Sequence, residues 1–194
     1  MKRIAVLVSG GGTNLQALIN AQKENRLGRC KILLVISSAP DVYALVRAQK
    51  AEIKTLVIEK NKLTSQEFDT ALLTALTENK IDLIVLAGFL CILGEKVLNA
   101  YEDKIVNVHP SLIPSFCGKG FYGLYVHKAA LEKGVKITGA TVHFVNNIID
   151  GGKIILQKAV DVLADDTPET LQKRVMEEAE WVILPQAVAM ICNK

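Results

Sequence analysis

The chain is short of cysteine, of aromatic residues and of net charge, and each shortage excludes a class of protein. Its four cysteines, Cys30, Cys91, Cys117 and Cys192, are scattered and form no C-x-x-C pair. Neither a zinc site nor a disulfide framework is therefore indicated, and a reducing cytoplasm is the expected setting. Aromatics make up 5% of the residues and never interleave with basic ones, as a groove for single-stranded nucleic acid requires. The net charge is +3 with no Lys/Arg cluster, so no stripe exists to track a phosphate backbone and no nucleic-acid partner is expected. A basic pocket for a small anion stays open. No apolar run approaches the length of a membrane span, and Ser9-Gly10-Gly11-Gly12 ends the first run too soon for a signal peptide, so no membrane partner is expected either.

Hydrophobic residues are 50% of the chain and charged residues 22%, an aliphatic-rich globular composition, and 194 residues suit one domain spanning 1–194. Short apolar runs alternate with longer amphipathic stretches, which predicts a Rossmann-like, doubly wound α/β fold with a mainly parallel sheet. Strands are predicted over 4–8, 32–36, 55–58, 83–86 and 105–108, with helices over 13–25, 42–49, 65–78, 95–100 and 124–133. Two extended segments, 138–145 and 153–160, then read as an added antiparallel carboxyl-terminal portion. A long terminal helix over 168–191 opens on Thr167 and Pro168 and is expected to kink at Pro185.

Two motifs carry chemistry. Gly10-Gly11-Gly12-Thr13-Asn14 follows the first strand and opens a helix, where free amides and the helix dipole favour a phosphate. The same residues also fit a tight turn capped by Thr13 or Asn14. The third glycine of G-x-G-x-x-G would fall at Leu15, no P-loop Lys-Ser/Thr follows, and Ser37-Ser38 lacks the acid that holds a dinucleotide ribose, so NAD is disfavoured. The second motif is Asn107-Val108-His109-Pro110-Ser111-Leu112-Ile113-Pro114. Alternation along a strand sets Asn107 and His109 on one face, where an amide can steady an oxyanion while an imidazole moves a proton. A strand ending in a proline turn accounts for the same residues. Asp150, in the glycine-ended loop Asn146-Asn147-Ile148-Ile149-Asp150-Gly151-Gly152, is placed to reach His109 and is expected to raise its pKa; a surface turn explains that composition as well.

Taken with Leu86-Ala87-Gly88-Phe89 and Gly139-Ala140-Thr141-Val142-His143-Phe144-Val145, these motifs resemble, over nearly the whole chain, the folate-dependent glycinamide ribonucleotide formyltransferases of purine synthesis. The resemblance implies formyl transfer from 10-formyltetrahydrofolate as co-substrate, without a metal, by a catalytic set of Asn107, protonated His109 and Asp150. It implies that Gly12, Thr13 and Asn14 hold the substrate phosphate and that Glu177 and Glu180 contact the ribonucleotide. Folate would be bound by Gln66, Leu90, Cys91, Ile92, Leu93, Asn107, Asn146, Asn147, Ile148, Ile149 and Asp150. The chain departs from the family pattern at Cys91 and Gln66, where arginine is expected, and the stretch from Arg174 to Pro185 is one residue longer. The loop from Phe116 to Gly123 is also longer, with Lys119 free to supply charge and glycines that permit lid motion. His127 and His143 are expected to make structural hydrogen bonds outside the central chemistry. Methionyl-tRNA formyltransferases share Pro-Ser-Leu-x-Pro, but they resemble this chain with an added tRNA-binding domain. Small-molecule substrates and a monomer or homodimer are the expected partners and assembly.

Overall fold

The computed structural model describes residues 1–193. Strand β1 (Lys2–Val8) alternates between two cores: Ile4, Val6 and Val8 face one, Ala5 and Leu7 the other. A strand that is apolar on both faces must be covered on both, and helical crossovers between parallel strands do this. Helices α1 (Thr13–Lys23), α2 (Tyr43–Lys50), α3 (Ser65–Glu78) and α4 (Glu95–Ala100) connect β1 to β2 (Cys30–Ser37), β3 (Lys54–Val57), β4 (Leu83–Leu86) and β5 (Ile105–His109). The five strands lie parallel in the order β3-β2-β1-β4-β5. After α5 (Leu124–Lys133), β6 (Ile137–Phe144) pairs antiparallel with β5, and β7 (Ile154–Asp161) antiparallel with β6. The mainly parallel sheet with an antiparallel carboxyl-terminal portion is thus what the chain forms.

Leu15, Leu18 and Ile19 of α1 and Ala44 and Ala48 of α2 fill one core, whereas Phe68, Leu72 and Leu76 of α3 and Val97 of α4 fill the other. The start of α4 is held by a buried carboxylate: Asp69 accepts from the backbone N–H groups of Gly94 at 3.1 Å, Lys96 at 2.9 Å and Val97 at 3.4 Å. That anchor fixes the loop Leu90–Leu93 just upstream. Neither Thr13 nor Asn14 caps α1, as the alternative reading of the turn required; the N-cap is Gly12, in the left-handed region at φ +73. A Cβ there would approach the Cβ of Ala44 to 2.6 Å, so conformation and space both demand glycine.

The terminal helix departs from the expected single helix kinked at Pro185. A capping box of Thr167 and Thr170 opens α6 (Pro168–Val175), a π-turn spans Met176–Glu180, and α7 (Trp181–Cys192) contains Pro185. Proline cannot donate to the Trp181 carbonyl and crowds it, and the irregular turn falls just before that residue. The core-facing residues Leu171, Val175, Ala179, Ile183 and Ala187 recur every fourth position. On an ideal α-helix such a row drifts by about 40° per step, and a widened turn absorbs part of that drift. The π-turn therefore accommodates one residue beyond what an α-helix needs. Deleting the exposed Glu178 should restore regular helix while both flanking faces keep their registers. Thermal unfolding should then move by less than about 4 °C, the equivalent of roughly 1 kcal/mol in a chain of this size; collapse of the fold would refute the assignment.

Candidate active site

The carboxyl ends of β1, β4 and β5 open into a cavity of about 1030 Å³, where a doubly wound sheet collects its ligands. Its wall is formed by Gly10 to Asn14, Leu86 to Glu95, Asn107 to Pro110, Gly118 to Gly123 and Val145 to Asp150, with Gln172, Met176 and Glu180 from the terminal helices. Asn107, His109 and Asp150 meet here. His109 is buried; its Nε2 lies 2.9 Å from the Phe116 carbonyl and its Nδ1 3.6 Å from Asp150 Oδ2. A carbonyl only accepts, so Nε2 carries the hydrogen and Nδ1 is the basic nitrogen facing the carboxylate. Asp150, at φ +55, also accepts from the Gly118 N–H at 2.9 Å.

His143 belongs to this group, contrary to the expectation that it stands outside. Antiparallel pairing sets it directly opposite Asn107. Its Nδ1 donates to the Phe144 carbonyl at 2.8 Å, which leaves Nε2 to accept from Asn107 Nδ2 at 3.2 Å. The Asn107 amide is thereby oriented with its second N–H free. His143 Nε2 also lies 3.6 Å from Asp150 Oδ1. Composition gave no sign of this role; only the β5–β6 register reveals it.

Burial pushes the His109 pKa below its ordinary value and outweighs the opposing pull of the Phe116 carbonyl and of Asp150. The expected upward influence of Asp150 exists, but the net shift is downward and the ring is neutral near pH 7. Burial alone would raise the Asp150 carboxyl, yet the two neighbouring imidazoles in their protonated forms, His143 first, and the Gly118 N–H hold it below the usual range. His127, expected to make structural hydrogen bonds, is fully buried in the cavity wall with neither ring nitrogen partnered among the described residues. Burial, with help from His109, lowers its pKa to about 4.

The glycine turn packs against the terminal helices at one end of the cavity. Asn14 Nδ2 donates to Glu180 Oε2 at 2.6 Å, and burial pushes the Glu180 pKa up to about 7 despite that bond. Thr13 Oγ1 contacts Met176 Sδ at 3.8 Å. Leu90 to Leu93 and Asn146 to Ile149 face each other from two loops, with Leu90, Ile92, Ile148 and Ile149 exposed. Two sequence-predicted residues fall outside the wall. Gln66 is exposed on the first turn of α3, and Glu177 points to solvent 4.0 Å from Lys173, because the π-turn aims Met176 and Glu180 inward instead. Lys119, in the loop after Cys117, lines the mouth and makes no ion pair among the described residues.

A doubly wound sheet with an amide, an imidazole and a carboxylate at its switch point defines an α/β protein equipped for acyl-group chemistry. The Formyl transferase family profile matches residues 2–188. The phosphoribosylglycinamide formyltransferase of Haemophilus influenzae is 42% identical over 189 residues, covering 97% of this chain and 86% of the relative. The trifunctional purine biosynthetic protein adenosine-3 of Homo sapiens is 44% identical over 98% of this chain, which spans only 18% of that protein's length. The chain likewise spans 14% of its Drosophila melanogaster counterpart. Among solved structures, glycinamide ribonucleotide transformylase 1 from Symbiobacterium toebii superposes with a TM-score of 0.93 at 41% identity, covering 100% of this chain and 88% of that one. The chain belongs to the formyl transferase family. As a check on the electrostatics, NMR titration should find the His127 imidazole protonating with a midpoint near pH 4; a midpoint above pH ~6, close to the unperturbed value, would contradict the burial argument.

Proposed function

We propose that the chain transfers the formyl group of 10-formyltetrahydrofolate to the amine of N1-(5-phospho-D-ribosyl)glycinamide, giving the N-formyl product and tetrahydrofolate in purine (IMP) biosynthesis. The observation that carries this reading is the convergence of Asn107, His109 and Asp150 at one end of the sheet. Two small molecules are then the partners, the cytoplasm the setting, and a monomer or homodimer the assembly. Relatives of matching length that are named for this reaction support the reading.

The folate fits the wall between the two loops. Leu90 and Ile92 are 67% and 75% exposed and Ile148 and Ile149 63% and 47%, so aliphatic side chains flank a slot for a flat ring while backbone groups meet its polar edge. Bound there, the folate supplies the formyl group. Gly12, Thr13 and Asn14 take the phosphate, and Glu180 accepts from the sugar hydroxyls. Asn107 donates its free N–H to the formyl oxygen as negative charge develops. Neutral His109 accepts at Nδ1 the proton that the attacking amine gives up, and Asp150 stabilises the imidazolium. His109 then returns that proton to the departing folate nitrogen. The ring therefore begins as a base, where the sequence alone suggested an acid.

Incubating the protein with both substrates should yield the N-formyl product; hydrolysis of the donor alone, or no reaction, would overturn the proposal. Asp150→Asn should lower kcat by about 100-fold or more, the range of general acid-base contributions, with little change in KM. The acid limb of kcat/KM should carry a component near pH 7 from Glu180, absent in Glu180→Gln. A second component, below the ordinary histidine value, belongs to His109; it should move lower still in Asp150→Asn, because that variant removes an influence that raises the pKa.

A further inference from the structure

Arg47 lies on α2, outside the cavity wall, and the reaction above gives it no task. Its Nε donates to the Gly11 carbonyl at 2.8 Å and its Nη1 to Gln16 Oε1 at 3.0 Å, while the guanidinium lies 4.9 Å from the centre of the Tyr43 ring. One residue earlier in the turn, the Gly10 carbonyl accepts from the Ala44 N–H at 3.1 Å. Helix α2 thus grips two successive carbonyls of the glycine turn from behind. In a trans peptide the N–H points opposite to the C=O, so both grips direct the amides of Gly11 and Gly12 away from α2. Neither amide has a backbone acceptor among the described residues.

A second, independent feature of the same cradle calls for a ligand. Asn14 is 7% exposed and lines the cavity; one end of its carboxamide is used by Glu180, and Oδ1 at the other end has no partner among the described residues. That oxygen only accepts, so it calls for an O–H donor beside the anion, a sugar hydroxyl or water, rather than for the dianion itself. Charge matters too. Among the described residues the cavity wall carries the side chains of Glu95, Asp150 and Glu180 against the single ammonium of Lys119, a poor setting for a phosphate dianion unless a cation stands close behind the amides.

We propose that Arg47 is a positioning residue for the phosphate monoester of the acceptor substrate: it holds the Gly11 peptide so that the amides of the turn face the anion, and it backs them with positive charge. This rests on the reading that the turn takes the phosphate. Arginine suits the task because its rigid planar fork reaches the Gly11 carbonyl and Gln16 from fixed N–H directions, whereas a lysine ammonium is a compact charge on a flexible stem.

The test uses Arg47→Gln and Arg47→Lys in the full chain, with ribose 5-phosphate as competitor of the ribonucleotide and ribose as control. In Arg47→Gln, the KM of the ribonucleotide and the Ki of ribose 5-phosphate should rise about tenfold, the scale of one lost charge-assisted contact. The KM of the folate should hold within about twofold, a split that general loosening of the structure would not produce. Arg47→Lys keeps the charge, and its Ki should rise at least about threefold with unfolding temperature unchanged; it decides the matter should the Gln variant fail to fold. Wild-type Ki in a folded variant would overturn the role of Arg47 alone. A wild-type enzyme that ribose 5-phosphate does not inhibit would overturn the phosphate reading beneath it.

Discussion

Asn107 stands opposite His143, and His109 opposite Thr141, in the antiparallel ladder between β5 and β6. Much else depends on that pairing. A slip of one residue would turn every side chain of β6 to the other face, and Asn107 would lose the imidazole that orients its amide. The same register sets Thr141, whose hydroxyl donates to the Ser111 carbonyl at 2.7 Å and accepts from the Ile113 N–H at 3.0 Å. Those bonds hold the chain after β5 on its course to Phe116, whose carbonyl fixes the His109 tautomer. Strand pairing thus governs proton placement two steps removed.

Electrostatically the cavity is divided. Burial drives His109 and His127 toward the neutral imidazole and Glu180 toward the neutral acid, whereas Asp150 alone of these four is held in its charged form by the groups around it. A neutral ring beside a fixed carboxylate costs little until it gains a proton, and then the carboxylate becomes its partner. The carboxylate thus offsets part of the desolvation cost when the ring gains its proton. It does so without a large change in geometry, since the two groups already lie 3.6 Å apart.

The sheet was legible because alternating apolar runs and amphipathic stretches leave few other topologies, and the added antiparallel strands announced themselves by the short loop between them. The π-turn was not, because apolar residues four apart read as continued helix. The hydrogen bonding of His143 was expected but its place beside Asn107 was not, since register is a property of pairs of strands, not of either one. The sign of the His109 shift was hidden for a similar reason: Asp150 could be named from the sequence, but the depth of burial that outweighs it arises only on folding. Gln66 and Glu177 came from family likeness, and local backbone geometry turns both outward. Arg47 carried no signal at all, since its partner is a backbone carbonyl contributed by another element.

The two aliphatic loops have a thermodynamic consequence. In the empty protein, Leu90, Ile92, Ile148 and Ile149 keep hydrocarbon in contact with water around a single opening. Covering that rim removes ordered hydration, so occupation by a flat aromatic guest should carry a negative heat-capacity change whatever the balance of enthalpy and entropy at one temperature. The same four side chains leave an aliphatic rim on the surface that such a guest would cover.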